Sequence, residues 1–168
     1  MSRAMRHTAL ACGAFLTFGA FAQSTWPRVV IGTLLSRAAV RASLDGSAQR
    51  LQDPECSRIL SGMRGATGQS LGATLAERAP GWTEYLRRVY FSEGSAGSLC
   101  ERQHVLAFTA VNSRVVFICS NAFVSLRRRS IWHAEAVIIH EVLHTLGLPD
   151  GNDKDQDITE QVLRACHR

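Results

Sequence analysis

Ile138-Ile139-His140-Glu141-Val142-Leu143-His144-Thr145-Leu146-Gly147-Leu148-Pro149-Asp150-Gly151 is the stretch on which the reading of this chain turns. Its apolar residues recur without the alternation of a strand, and the spacing predicts a helix running through Leu146. On a helix His140 and His144 stand one turn apart on the same face, so both imidazoles can reach one metal ion, with Glu141 beside them. Two histidines and a glutamate amid Val137, Ile138, Ile139, Val142, Leu143 and Leu146 are costly to bury without partners, and a cation supplies one. The bland alternative is a helix whose histidines face solvent.

Gly147 lies where the helix can end in the left-handed conformation that glycine adopts cheaply, and Pro149 keeps the helix from resuming. Such a turn can return Asp150 to the metal as a third ligand, leaving a fourth position open. On His140, Glu141, His144, Gly147 and Asp150 the chain resembles the zincin metallopeptidases, in the metzincin-like pattern H-E-x-x-H-x-x-G-x-x-H/D with Asp in the last place. The resemblance implies a zinc ion, Zn2+, held by His140, His144 and Asp150. It also implies Glu141 as the catalytic base, taking a proton from the zinc-bound water and passing it to the leaving amine of a peptide or protein substrate. Metzincins carry a methionine in a turn under the metal, whereas Met1, Met5 and Met63 all precede the motif, so the subfamily stays open. In zincins an edge strand above the metal binds the extended substrate, and the resemblance assigns that part to one strand within Val105 to Cys119.

Other residues compete for roles. Glu160 could be a downstream ligand, but Asp157-x-x-Glu160 also reads as a capping box, and Asp150 is preferred. His133 lies two helical turns before His140, either as a substrate contact or as a polar residue near a helix start. His104 reads as solvent-facing and His167 as terminal. Asp153-x-Asp155-x-Asp157 resembles the opening of a calcium loop. Ile158 stands where that loop needs Gly and Arg164 where it needs Glu, so an EF-hand is rejected and a surface Ca2+ site is the lesser alternative to a polar loop.

The remaining chain sets the frame. A length of 168 residues, 46% hydrophobic and 20% charged, suits one ordinary domain. Residues 1–22 read as a signal peptide: Arg3 and Arg6 start it, Thr8 to Phe21 is apolar, and Ala20-Phe21-Ala22 places cleavage before Gln23. The mature domain is then 23–168, secreted or periplasmic, with no stable membrane insertion after cleavage. Losing Arg3 and Arg6 lowers the net charge from the full chain's +5 to +3. Arg127-Arg128-Arg129 is the only basic run and fits the end of a helix opened by Ser120, so no nucleic-acid partner is expected. Cys56, Cys100, Cys119 and Cys166 make two disulfides the default in an oxidising compartment. Three pairings are open. Cys119 with Cys166 is preferred, stapling the last helix to a core strand and leaving Cys56 with Cys100.

Helical spacing runs from Val29 to about Leu51 and from Cys56 to Met63, with Pro54 between, and a short helix fits Leu71 to Ala79. Trp82 to Tyr90 reads as a helix or a helix running into a strand. Val105 to Ala110 and Val115 to Cys119 read as a hairpin turning at Val111-Asn112-Ser113. Ser130 caps the motif helix and Asp157 the last one. The sum is an α+β, zincin-like single domain with a helical N-terminal half and a short β-sheet packed beside the metal-bearing helix. A secreted zinc-dependent metallopeptidase is the leading function. The alternative is a non-catalytic metal-binding or partner-binding module on the same scaffold, which would have no need of Glu141.

Overall fold

The computed structural model describes residues 27–150 and 157–167. Pro27 leads into β1 (Arg28–Val30), and the Thr33 hydroxyl accepts from the Ser36 amide to cap α1 (Leu34–Leu51). Asp53 caps α2 (Pro54–Gly62), where Pro54 occupies the first turn and its missing N–H costs nothing. Ser70 caps α3 (Leu71–Arg78), and α4 (Trp82–Leu86) leads into β2 (Tyr90–Glu93). After a 3-10 turn (Ser98–Glu101) come β3 (Ala107–Phe108), β4 (Val115–Ile118), α5 (Ser120–Arg129), α6 (Ile131–Thr145) and α7 (Ile158–Ala165). The protein is therefore an α+β domain, and no helix among the described residues is long and apolar enough to cross a membrane.

The sheet order is β1-β2-β4-β3. β1, β2 and β4 are parallel, whereas β3 pairs antiparallel with β4 and forms one edge. Side chains alternate between the faces. Phe91, Val116 and Ile118 are fully buried in the core, while Tyr90 and Phe117 on the other face keep 44% and 36% of their surface exposed. The hairpin expected over 105–119 is present with shorter strands, and Asn112 takes a left-handed φ of 66° in its turn. Val29 and Val30 correct the expectation that the first helix starts there. A β-branched pair after Pro27 favours extended backbone, and the cap at Thr33 comes only afterwards. The signal segment 1–22 and Asp153 and Asp155 of the acidic stretch lie outside the described residues.

Helix α1 buries Ser36, Ser43 and Ser47 alongside Val40, Leu44 and Leu51. Small side chains let it lie close to α6. The Ser47 hydroxyl is shared between the carbonyls of Ser43, 2.8 Å away in its own helix, and Glu135, 3.1 Å away in α6. At Gly46 a Cβ would fall 2.0 Å from Glu135 Oε1. That space holds an ion pair: Arg50 Nε donates to Glu135 Oε2 at 2.6 Å, another of its nitrogens donates to the Cys166 carbonyl at 2.9 Å, and its guanidinium lies 3.7 Å over the Trp132 ring. One side chain thus ties α1, α6 and the end of α7 together.

The disulfides are Cys56–Cys166 and Cys100–Cys119, which corrects the preferred Cys119–Cys166 pairing and with it Cys56–Cys100. The last helix is stapled to α2 rather than to the sheet. Cys119, at the end of β4, instead takes up Cys100 from the 3-10 turn that precedes β3. The long-range proximity of α2 and α7 has no local signature.

Two outcomes follow for the scaffold. Non-reducing peptide mapping should recover Cys56 with Cys166 and Cys100 with Cys119. Opening the former, which closes a loop of 110 residues against 19, should cost more, about 4.7 against about 3 kcal/mol in the chain-entropy limit. Gly46→Ala should gain about 1 kcal/mol of helix propensity. It should lose more, since overpacking costs about 1–3 kcal/mol and Glu135 is pushed off Arg50. Denaturant titration should therefore show a net loss, and a gain would mean that Glu135 yields freely.

Candidate metal centre

Helix α6 is apolar around most of its circumference, and its residues from Ala134 to Ile139 and from Glu141 to Leu146 are buried. Ser130 opens it by accepting from the His133 amide. Its other end forms a Schellman motif: the Leu148 amide donates to the Leu143 carbonyl at 3.1 Å and the Gly147 amide to the His144 carbonyl at 2.9 Å. Gly147 has φ +104°, as that motif requires. This turn does two things for the site. It brings the Leu148 carbonyl to 2.6 Å from His144 Nδ1, and it returns Asp150 Oδ1 to 3.2 Å from His144 Nε2 and 3.9 Å from His140 Nε2.

The two Nε2 atoms are 2.8 Å apart. His140 Nδ1 is held 2.8 Å from Thr159 Oγ1 in the first turn of α7. Among the described residues His140, His144 and Asp150 are the one group of three such side chains whose ligand atoms lie within 4.8 Å of one another. Donors bonded to one ion at about 2.0–2.2 Å can lie no more than about 4 Å apart, and the three separations meet that limit. Two imidazoles and a carboxylate are also the donor set that suits zinc. Burial, and secondarily the neighbouring His144, push the His140 pKa down to about 4, against the pull of Asp150 and Asp157, so its ring is neutral at ordinary pH.

Glu141 is 5% exposed, and its Oε2 is the one buried side-chain nitrogen or oxygen among the described residues with no hydrogen-bond partner. Burial first, and the charge of Asp150 second, raise its pKa to about 8. A buried oxygen left unpartnered costs about 1–3 kcal/mol, so a partner arriving beside these three ligand-type atoms would recover that cost. A cleft of about 300 Å³ opens there, bounded by α6 with Val137 and by Leu106 to Thr109 around the edge strand β3. A larger cavity of about 430 Å³ between α1 and α4 contains none of the histidines.

Glu160 is exposed at the start of α7, where its amide donates to Asp157, and it is not among the grouped ligands. His133 is exposed and pairs with Ser130 at the helix start, and His167 Nδ1 lies 3.2 Å from the Arg164 carbonyl. His104, exposed as expected, also lines the cleft and takes a left-handed φ of 74°. Sequence reasoning missed the residues that hold the ligands in place. Arg78 donates to the Thr145 carbonyl at the negative end of α6 and to Asn112 Oδ1, and the Asn112 amide donates to the His144 carbonyl. The Ala66 amide donates to the Gly147 carbonyl. Asn112 was legible as a turn residue, but nothing local points it at α6.

The pKa shifts predict opposite slopes for the stability of the metal-free chain. Glu141 keeps its proton when folded up to about pH 8 but loses it near 4.5 when unfolded, so its contribution is present at low pH and lost as pH rises between those values. His140 resists protonation when folded down to about 4 but accepts it near 6.5 when unfolded, so stability is lost as pH falls through that window. Tm profiles of chelator-treated protein should show Glu141→Gln removing part of the decline from pH 4.5 to 8, and a variant profile parallel to wild type would place that decline elsewhere. Comparison with known protein families, with curated proteins and with solved structures returns no match, so the geometry of the site carries the functional reading.

Proposed function

We propose that this protein is a secreted zinc-dependent metallopeptidase of the zincin type. The observation that carries the reading is the unpartnered Oε2 of buried Glu141 beside the cluster of His140, His144 and Asp150, at the floor of a cleft bounded by an edge strand. His140, His144 and Asp150 would hold the ion, which when bound supplies Lewis acidity, lowering the pKa of a water and polarising a carbonyl oxygen. Glu141 takes the proton of the attacking water and delivers it to the amide nitrogen as the peptide bond breaks. β3 lies at the edge of the sheet and faces the cleft, where an extended peptide can add as a further strand. The two disulfides fit an oxidising compartment, in keeping with a signal peptide at 1–22.

Metal analysis of the purified mature chain should find one zinc ion, and the protein should cleave a mixed peptide library in a chelator-sensitive manner. Glu141→Gln should keep the zinc and lower cleavage by about 10²- to 10⁴-fold, the usual contribution of a positioned acid–base group. Asp150→Ala should weaken zinc binding in a titration. Zinc binding without cleavage by the wild type would leave the non-catalytic module, and unaltered affinity in Asp150→Ala would remove Asp150 from the ligand set.

A further inference from the structure

The surroundings of His144 fix a proton on one of its ring nitrogens. Its Nδ1 faces the Leu148 carbonyl at 2.6 Å, which can only accept, so Nδ1 carries a proton, and Nε2, which also faces Asp150 Oδ1 at 3.2 Å, is the atom turned to the shared site. His140 is placed differently. Its Nδ1 faces the Thr159 hydroxyl at 2.8 Å, and a hydroxyl can donate or accept. Its Nε2 faces His144 Nε2 at 2.8 Å, a separation at which two bare lone pairs repel. Two arrangements avoid that repulsion, one in the metal-free site and one with a cation between the rings. In one, His140 carries its proton on Nε2 and donates to His144 while Thr159 donates to Nδ1. In the other, the proton is on Nδ1 and donated to Thr159, and both Nε2 lone pairs are free for a shared cation. The proton moves between the ring nitrogens by exchange with water, with no net gain or loss, and the ring itself need not turn.

We propose that Thr159 is a positioning residue that holds the His140 ring in one orientation through both tautomers, so that an arriving cation meets a donor already aimed. This rests on the metal reading of the site given above. A carbonyl in the place of the hydroxyl would bond to one tautomer alone, and an apolar side chain would hold neither. Thr159 also sits on an anchored element: Asp157 caps α7, Ile158 and Val162 are buried beneath it, and Cys166 bonds its far end to Cys56 of α2. The hydroxyl is therefore delivered by packing and a covalent tether, which is what a preorganised ligand set requires.

The test compares the full chain with Thr159→Val and Thr159→Ser. Its readouts are competitive zinc titration and imidazole ¹⁵N shifts of His140 before and after zinc. In the wild type His140 should carry its proton on Nε2 without metal and on Nδ1 with zinc. Thr159→Val should weaken zinc binding by about 10- to 100-fold and move the metal-free His140 shifts, and Thr159→Ser should restore both. Wild-type zinc affinity together with wild-type His140 shifts in Thr159→Val would overturn the inference. Failure of the wild type to take up zinc would instead overturn the metal reading, and the metal-free shifts would still judge Thr159, unmoved shifts in Thr159→Val counting against it. If Thr159→Val loses the native circular-dichroism spectrum, Thr159→Ala carries the same comparison.

Discussion

Helix α6 is enclosed along most of its length, and the exclusion of water sets the terms for each polar side chain it carries. Glu135 meets Arg50, His144 meets the Leu148 carbonyl and His140 meets Thr159. Each contact replaces hydration that burial removes. Glu141 Oε2 departs from this pattern, and it departs where the helix opens onto the cleft below β3. Among the described residues the other buried side-chain polar atoms have partners, so this is the one such atom at which a ligand, a water or a reacting group would supply a missing hydrogen bond.

The same enclosure explains why distant segments converge on the two ends of α6. At its C-terminal end Arg78 and Asn112 meet carbonyls of the last helical turn, the Tyr85 hydroxyl bonds to Thr145, and Ala66 holds the turn at Gly147. At its N-terminal half the serine face of α1 and the gap at Gly46 admit the Glu135 carboxylate to Arg50. The Cys56–Cys166 bond then fixes α7 so that Thr159 reaches back to the motif. The ligand geometry is thus set by several segments far apart in the chain, and nothing local in any of them points it at α6.

Several elements were legible because their causes are local. The caps at Ser130 and Asp157, the break at Pro54, the arginine run closing α5 and the hairpin turn at Asn112 all act within a few residues of themselves. Helical spacing in the first half misled at Val29, since three residues of strand are too few to show alternation. It also concealed that three serines lie on the buried face of α1, because propensity is blind to how closely two helices approach. The disulfide pairing followed the same division. Which cysteines meet depends on where α2 and α7 pack, and sequence spacing carries no record of that.

What the linear chain determined by itself is the i, i+4 histidine pair, the glutamate beside it and the glycine at which the helix must end, since helical periodicity and the left-handed turn are properties of short peptides. Tertiary structure decided which oxygen atoms approach those rings. Asp150, the Leu148 carbonyl and Thr159 reach them only because the turn after α6 is held from outside and α7 is bound to α2. Burial, a property of the whole packed core and of no single segment, is what leaves the Glu141 oxygen without a partner in the chain.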